Sequence, residues 1–501
     1  MATIRVDLDR EIGKVNPLIY GSFIEHIGHC IYDGIVDARR ADAGEYAPRE
    51  ATGEAVRALN PPVLRWPGGN FVSGYHWFDG VGPIAQRPRR LNLAQGGEES
   101  NVFGTAEFIH YCHLIGAEPY ICLNLGTGTL DEAQAWVEYC NGTGNTGWAN
   151  LRRAHGHEEP FGVKYWGLGN EVYGDWQLGA KRDVADYTKL AKETAKLVRL
   201  TDPSIELVGC GLDGLSDWDA RVLEENAEDV RYHSIHLYTG HTDYYQNVFM
   251  PHQAERALRI VGALIDRARY RREIDRPLTV AFDEWNVIYR TPSGGCEEPY
   301  DLVDVLAVAT FFNIFHRHCR TVGMANMAQL VNAIAPITTT SDGLFYQTIY
   351  WPYLLYRRHC REVALDAWVD SPAHDLRTLG EATVQPSAWP PAHRVVDMGP
   401  FPYLDVSATV DVGRRNLTLA VVNRYREEDI PTAIDILGAA VGREAMRYEV
   451  NHPDIRAGNT AEAPDRVGVA ERPLTSAAPH FTYTFPAHSL TVLTLECEEG
   501  P

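Results

Sequence analysis

Residues 164–176, KYWGLGNEVYGDW, begin as a short apolar run and end abruptly in an amide, Asn170, and a carboxylate, Glu171. Two aromatic residues, Tyr173 and Trp176, follow closely. A short apolar run of this kind is typical of a strand that is buried on both faces. The stretch therefore predicts a buried strand whose carboxyl end carries an acid.

The same pattern occurs eight times between residues 19 and 332, and helix-like amphipathic segments lie between the runs. One such segment, DYTKLAKETAKLVRL, places Tyr187, Leu190, Ala191, Ala195 and Val198 at helical spacing. Alternating strands and helices predict a parallel sheet, and eight of them predict closure into an α/β fold, the (β/α)8 TIM barrel. The predicted strands are 19–26, 63–70, 119–126, 164–171, 205–211, 232–238, 278–285 and 322–332.

A second kind of sequence begins after about residue 360, where short β-rich runs are separated by Pro, Gly and Asn. This spacing is typical of an all-β sandwich, here a jelly-roll-like C-terminal domain. The first strand, TIRVDLD, precedes the barrel and is predicted to join the sandwich, whereas 455–480 reads as a long loop. We therefore predict a catalytic barrel over 16–360 and a sandwich built from 1–15 and 361–501.

Composition narrows the class of partner. The chain has 501 residues and a formal net charge of −21, which disfavours nucleic acid and anionic membranes as partners. The N-terminus lacks the apolar segment of a signal peptide, and no run approaches the roughly 18 apolar residues of a membrane span. Nine scattered cysteines without paired spacing favour a reducing compartment. We expect a cytoplasmic protein.

Polar residues end most of the predicted barrel strands, where active sites of such barrels are built. They are Glu25, Asn70, Asn124, Glu171, Tyr238, Glu284 and Gln329. Glu171 and Glu284, on the fourth and seventh strands, would face each other across the opening. A carboxylate pair can divide the roles of acid and nucleophile when the environments separate the two pKa values. A single acid at a strand end, by contrast, often only caps the next helix.

The surroundings of the two acids suggest how their pKa values would separate. Desolvation beside Trp166 and Trp176 is expected to keep Glu171 protonated, while the Tyr238 hydroxyl would hold Glu284 ionised. Asn170 is placed to donate to a sugar hydroxyl, and Asn70 follows the turn WPGG. Three tryptophans are candidates for stacking on sugar or for packing in the core. These are Trp66, Trp77 and Trp176.

Three motifs point to other chemistry. GCGLDG, residues 209–214, fits the G-x-G-x-x-G pattern after a strand and would indicate a nucleotide-dependent oxidoreductase. We disfavour that class because the motif falls on the fifth of eight strands. HIGHC (26–30) and HRHC (316–319) contain possible metal ligands, but neither has a matching second half. We expect no metal and no organic cofactor.

Five longer stretches carry a resemblance that covers nearly the whole chain. The chain resembles the retaining glycoside hydrolases of the (β/α)8 clan, and specifically the family 51 α-L-arabinofuranosidases. The stretches are YGSFIEHIGHCIYDGI, LRWPGGNFVSGYHWFDGVGP, GLGNEVYGDWQLG, FDEWNVIY and ANMAQLVNAIAPI. The resemblance implies exo-acting removal of terminal α-L-arabinofuranosyl residues from arabino- and arabinoxylo-oligosaccharides. A cytoplasmic enzyme would meet imported fragments of this kind rather than polymer.

The resemblance also implies roles for individual residues. Glu171 corresponds to the general acid/base and Glu284 to the nucleophile, and Tyr238 would position the nucleophile. The furanose-binding residues would be Glu25, Asn70, Asn170 and Gln329. Members of the family are often homo-oligomers, specifically hexamers, so the resemblance implies that state here as well.

Some positions depart from the family pattern. Ile288 stands where close relatives often carry a tryptophan, and VYGDW replaces a frequent MDGPW after the acid. The loop RTPSGGCEEPYD, residues 290–301, is short. These departures border the leaving-group side and leave a related furanoside, such as a galactofuranoside, or a β-xyloside as alternative substrates. A carbohydrate-binding protein without catalysis is a further alternative.

Overall fold

A closed barrel of eight parallel strands forms the larger part of the protein. The computed structural model describes residues 1–290, 297–379, 395 and 397–499. All eight predicted strands form, and the eighth pairs with the first to close the barrel. In chain order they are Gly21–Phe23, Val63–Trp66, Glu118–Leu123, Tyr165–Leu168, Glu206–Gly209, Tyr232–Thr239, Thr279–Val287 and Val322–Ala328. The predicted TIM barrel is confirmed.

One principal helix follows each strand. In order these are Glu50–Leu59, Thr105–Ile115, Leu130–Asn141, Val184–Thr201, Asp217–Asn226, His252–Arg272, Leu302–Arg317 and Tyr350–His359. Shorter helices are Ala38–Asp42, Gly147–Ala154 and Tyr244–Phe249, and single 3-10 turns span Pro17–Tyr20, Asn70–Gly74, Trp77–Gly80, Ile84–Gln86 and Leu376–Leu379. In Val184–Thr201 the predicted apolar face is buried apart from the half-buried Leu190. Within the described residues, none of the helices has the length and apolar character needed to cross a bilayer.

Alternation along the strands divides the barrel side chains between two layers. Tyr165 belongs to a compact cluster inside the barrel, together with Tyr120 and Tyr232. Its neighbour Trp166 points outward, where its ring lies 5.9 Å from that of Trp136 in the helical layer. The expectation that Trp166 lies beside the Glu171 carboxyl group is therefore wrong, because successive side chains of a strand face opposite sides.

The C-terminal domain is built on a nine-stranded sheet. Its strands, in spatial order, are Val469–Pro473, Ala439–Val450, Ser489–Glu499, Asn416–Asn423, Leu404–Val410, Val363–Asp370, Ala2–Lys14, Ile430–Leu437 and His480–Phe485. The N-terminal strand joins this sheet and is antiparallel to one neighbour and parallel to the other. Separate two-stranded pairs are Arg90–Leu91 with Glu98–Glu99, Ile337–Thr339 with Leu344–Tyr346, and Ala373–His374 with Phe401–Pro402.

One predicted loop contains a strand. Val469–Pro473 lies within 455–480 and pairs with Ala439–Val450 at the edge of the sheet. Four of its five side chains are exposed, so it lacks the alternation of apolar and polar residues that marks a half-buried strand. An edge strand that is held only by backbone hydrogen bonds therefore has no side-chain pattern from which to predict it.

The sheet packs on the barrel through the helix Leu302–Arg317, which is buried from residue 302 to 316. Alternation decides which side chains of the sheet meet it: Ala420 and Val422 belong to the barrel-side core, whereas Leu419 and Val421 face the core of the C-terminal domain. Asp405 accepts hydrogen bonds from Asn313 at 2.7 Å and from Arg317 at 3.1 Å across this contact. Hydrogen bonds and an ion pair therefore accompany the apolar contacts of this interface.

Candidate active site

Glu171 and Glu284 lie together at the mouth of the barrel. One oxygen of each carboxylate and one ring nitrogen of His236 lie within 4.8 Å of one another. Glu171 follows the fourth strand and Glu284 lies near the end of the seventh, and they are 7% and 5% exposed. A separation of about 5 Å between carboxyl groups is typical of glycosidases that work by double displacement.

Two donors orient the Glu284 carboxylate. The Tyr238 hydroxyl donates to Oε2 at 2.8 Å, and Arg65 Nη1 donates to Oε1 at 2.7 Å. Tyr238 comes from the sixth strand and Arg65 from the second, so three strands converge on this group. Both oxygens are engaged by charge-assisted hydrogen bonds, which keeps the carboxylate pointed in one direction.

Glu171 has a polar environment rather than the apolar one expected from its neighbours in sequence. His236 Nδ1 lies 2.8 Å from Oε1, and the indole N–H of Trp176 donates to Oε2 at 3.2 Å. Burial by itself would raise the pKa of Glu171, but these two hydrogen bonds, the His236 charge and the charge of Arg65 lower it below its ordinary value. The expectation that desolvation keeps Glu171 protonated is wrong for the free protein.

The backbone of Glu171 also adopts a left-handed conformation, with φ of +43°. This conformation costs about 1 kcal/mol for a residue with a side chain.

His236 lies between the two glutamates. Its Nδ1 atom is 3.6 Å from Glu284 Oε2, and its Nε2 atom is 3.3 Å from Asp283 Oδ1. Burial opposes a charged imidazole, but Glu284, Asp283 and Glu171 outweigh it and raise the pKa of His236 to about 10. The ring is therefore an imidazolium at neutral pH. In that form both ring nitrogens carry a proton.

A second charged pair supports the site from below. Asp283 lies 3.4 Å from Arg65 Nε and accepts hydrogen bonds from the hydroxyls of Tyr120 at 2.8 Å and Ser234 at 2.5 Å. Burial disfavours the Asp283 anion, but Arg65 and His236 outweigh it and lower the pKa of this carboxyl group. Asp283 thus balances the two cations that touch the glutamates.

Three residues of the site were not predicted from the sequence: Arg65, His236 and Asp283. Two of them, His236 and Arg65, could have been recognised from the sequence. His236 stands two residues before Tyr238 in one strand, so both side chains face the same side of the sheet. Arg65 is a lone cation inside an apolar run, where a buried charge needs a partner.

Glu25 forms the wall of the pocket on the side of the first strand. Its carboxylate accepts hydrogen bonds from the Phe71 N–H and from the amides of Gln95 and Gln329, each at 3.0 Å. Burial is the main reason that the pKa of Glu25 rises to about 7, and the nearby Glu284 adds to it. A Cβ at Gly69 would lie 2.1 Å from Glu25 Oε2, so only glycine allows the WPGG turn to pass this close.

The amide side chains of the pocket keep free hydrogen-bonding atoms. Asn170 accepts from Arg65 through Oδ1, while its Nδ2 atom is buried without a partner among the described residues. Gln329 donates to Glu25, and its Oε1 atom is likewise unpartnered there. Asn70 lies farther out and accepts from Gln177 at 2.5 Å. A buried donor and a buried acceptor of this kind can pair with the hydroxyl groups of a ligand.

Only Trp176 of the three candidate tryptophans lies at the pocket. It is 38% exposed and contacts Glu171, and the ring of Tyr173 packs edge-on against it at 6.1 Å. Trp66 is buried and donates to His26 Nε2, and Trp77 is buried and donates to the carbonyl of Glu132. Those two indoles belong to the core.

The remaining strand-end candidate, Asn124, has a structural role. Its Oδ1 atom accepts from the backbone N–H groups of Gly126 and Thr127, and its amide donates to the carbonyl of Tyr75. The Asn124 side chain therefore stabilises the loop that follows the third strand. Of the short loop at 290–301, residues 291–296 lie outside the described residues.

The motif GCGLDG does not form an open phosphate-binding loop. The Asp219 carboxylate accepts from the N–H groups of Leu212 at 2.8 Å and Gly214 at 3.0 Å, and it also pairs with His233. The donors that would face a dinucleotide are thus taken by the protein's own anion. Of the two metal-like motifs, His26 pairs with Glu99, and His316 bonds Tyr20 and Ser407.

Known proteins resemble this chain over nearly its whole length. Residues 55–256 match the family described as "Alpha-L-arabinofuranosidase 1 domain", and 283–489 match "Alpha-L-arabinofuranosidase C-terminal domain". Alpha-L-arabinofuranosidase C of Emericella nidulans is 43% identical over 98% of this chain and 96% of its own. The intracellular exo-alpha-(1->5)-L-arabinofuranosidase 1 of Bacillus subtilis is 35% identical, with 91% of each chain covered.

A solved structure extends the likeness to the whole fold. The thermostable GH51 alpha-L-arabinofuranosidase of Thermotoga petrophila RKU-1 superposes with a TM-score of 0.88 at 38% identity. The match covers 99% of this chain and 100% of the other. The chain described here therefore belongs to the α-L-arabinofuranosidases of glycoside hydrolase family 51.

Proposed function

We propose that the protein removes terminal α-L-arabinofuranosyl residues by double displacement, with Glu284 as the nucleophile and Glu171 as the acid/base. The observation that carries these roles is the close approach of the two carboxylates around His236. Glu284 is held by Tyr238 and Arg65 with one oxygen near each donor, as an attacking anion must be. Glu171 has a proton donor, His236, within hydrogen-bonding distance.

In the first step Glu284 attacks the anomeric carbon, and the bond to the leaving oxygen breaks. Bond formation removes the negative charge of Glu284, which lies 3.6 Å from His236 and helps to keep its ring protonated. The His236 proton then passes to Glu171 along the 2.8 Å hydrogen bond, and Glu171 gives it to the leaving oxygen.

In the second step water attacks the glycosyl-enzyme. Glu171, again an anion, takes the proton of the water and returns it to His236, while the ester bond to Glu284 breaks. This step restores the imidazolium and the two carboxylates of the free protein. Two displacements at one carbon give a product with the configuration of the substrate.

Glu25, Asn70, Asn170 and Gln329 are the proposed sugar-binding residues. The free Nδ2 atom of Asn170 adjoins the catalytic pair and suits the 2-hydroxyl, a contact that strengthens in the transition state. Gln329 donates to Glu25 and keeps its Oε1 atom available to accept a hydrogen bond from a sugar hydroxyl. The recessed, nearly buried carboxylates support an exo mode, in which one terminal residue enters the pocket.

A panel of nitrophenyl glycosides tests the function. We expect turnover of the α-L-arabinofuranoside and little of the β-D-galactofuranoside or β-D-xyloside, and preference for either of the latter would refute the assignment. Glu284→Ala should abolish turnover. Glu171→Ala should retain the first step on substrates with good leaving groups and be rescued by azide, with an azide product that has the α configuration of the substrate.

Two broader expectations accompany this proposal. A cytoplasmic location is supported by seven free cysteines among the described residues, six of them buried, and by the intracellular Bacillus subtilis relative. A homo-oligomeric state, specifically a hexamer, follows from the family resemblance. Cell fractionation and sedimentation equilibrium would test them, and secretion or a monomer would contradict them.

A further inference from the structure

A groove of about 540 Å³ is lined by residues that take no part in the chemistry above. We call it the rim groove; its lining includes His76, Phe78, Thr129, Asp131, Glu132 and Trp148. These residues come from the segments that follow the second and third barrel strands. The volume is within the range of pockets that hold small ligands.

Two aromatic side chains of the rim groove are open to solvent. Phe78 is 46% exposed and Trp148 is 36% exposed. Both are held in place: Phe78 stacks on His76 at 5.5 Å, and Trp148 packs edge-on against the buried Trp77 at 5.5 Å. Rigid, partly exposed rings present apolar faces at low cost in side-chain entropy, and the C–H face of a sugar ring packs on such surfaces.

The polar lining of the rim groove is acidic and hydroxylic. Asp131 and Glu132 supply carboxylates, Thr129 supplies a hydroxyl, and none of the described residues that line the groove is a lysine or an arginine. His76 is paired with Glu132 at 3.0 Å. Carboxylates accept hydrogen bonds from hydroxyl groups and repel anions, so this chemistry suits a neutral sugar and opposes a uronate, a phosphate or a nucleic acid.

A series of hydrogen bonds connects the rim groove with Asn70 of the candidate active site. Ser73 donates to Gln177 at 2.8 Å, and Gln177 donates to Asn70 of the pocket. On the other side of Ser73, the Thr127 hydroxyl, which lines the groove, donates to the Ser73 carbonyl at 2.8 Å. A few hydrogen-bonded residues therefore separate the groove from the place where the terminal sugar is expected.

We propose that the rim groove is a second sugar-binding site, which holds a neutral sugar unit of the same oligosaccharide chain whose terminal residue occupies the catalytic pocket. The proposal rests on the function given above. Its consequence is a preference for longer substrates: the groove contributes affinity only when the chain extends beyond the leaving group.

The test compares a long and a short substrate in one set of variants. We expect Phe78→Ala and Trp148→Ala each to raise KM for long arabino- or arabinoxylo-oligosaccharides by about three- to tenfold, the scale of one aromatic contact. KM and kcat for nitrophenyl α-L-arabinofuranoside should not change. Trp368→Ala is the matched control, because Trp368 is a 52% exposed tryptophan on the C-terminal sheet.

Each outcome decides a separate point. If both variants keep the wild-type KM for every chain length, the second site is refuted, while turnover of the nitrophenyl substrate leaves the proposed function standing. If the wild type does not hydrolyse the nitrophenyl substrate, the function itself fails. If Phe78→Ala changes the sedimenting mass and not the KM values, the groove is an interface between copies of the chain, and the sugar site is refuted.

Discussion

The Nδ1 atom of His236 lies 2.8 Å from Oε1 of Glu171, so the proposed acid/base is the anion of a buried ion pair in the free protein. Three carboxylates raise the pKa of His236, so in the proposed mechanism the catalytic proton starts on the imidazole. In that mechanism Glu171 does not need an apolar pocket to act as an acid. It relies on a neighbour that releases a proton when Glu284 loses its charge.

Replacing His236 with Asn tests whether the imidazole supplies the catalytic proton. Without the imidazolium, the proton must sit on Glu171 itself, and a carboxyl group releases it at lower pH than a ring whose pKa is about 10. We expect the alkaline limb of the kcat/KM profile to move to lower pH by at least about one unit and kcat/KM to fall about 10²- to 10⁴-fold. His110→Asn, on an exposed helix face, is the control. An unchanged alkaline limb would contradict the role of His236.

Glu25 should make stability depend on pH. Its folded-state pKa, about 7, lies above the ordinary value of 4.5, so the stability that it contributes is present below about pH 4.5 and is lost as pH rises to 7. The difference corresponds to about 3 kcal/mol.

The variant Glu25→Gln removes this titration. We expect its melting temperature, relative to wild type, to be higher at pH 8 than at pH 4.5, measured by differential scanning fluorimetry. Glu54→Gln changes an exposed acid on the helix Glu50–Leu59 and should show no such trend. A pH-independent difference for Glu25→Gln would show that burial does not perturb this carboxyl group.

Tyr173 should act on catalysis through Trp176. Its ring packs between those of Trp176 at 6.1 Å and Trp218 at 5.6 Å, and Trp176 in turn donates to Glu171. Tyr173→Ala removes this support, so we expect kcat/KM to fall about two- to tenfold. The loss should be larger for substrates with poor leaving groups, which depend on the acid. Tyr173→Phe keeps the ring and should behave like wild type; equal losses in both variants would contradict a packing role.

Asp405 should stabilise the contact between barrel and C-terminal sheet. Arg424 is 1% exposed and lies 3.6 Å from Asp405, and Arg317 also pairs with this carboxylate. Asp405→Ala leaves a buried cation uncompensated, which typically costs about 3–5 kcal/mol. Urea unfolding should show an earlier midpoint, whereas Asp366→Ala, which breaks an exposed pair with Arg10, should shift it little. Equal shifts would refute the difference between the two pairs.

Much of the barrel was readable from local pattern. Each of the eight strands appeared as a short apolar run, because strands buried on both faces need apolar side chains along their whole length. Glu171 and Glu284 stood out because polar residues ended those runs, although their chemical roles stay predictions that the variants above test. The edge strand Val469–Pro473 was not predicted, because most of its side chains are exposed and it is held by backbone pairing.

The sequence by itself determined the order of strands and helices, the barrel, and the two glutamates at its mouth, since all of these depend on residues close together in the chain. Only the tertiary structure decided what surrounds the acid. His236 and Arg65 reach the site from strands far away in sequence, and Trp166 turns away from it. The pKa of Glu171 is lowered rather than raised because electrostatic interactions act through space, so neighbours in the chain do not determine their sign.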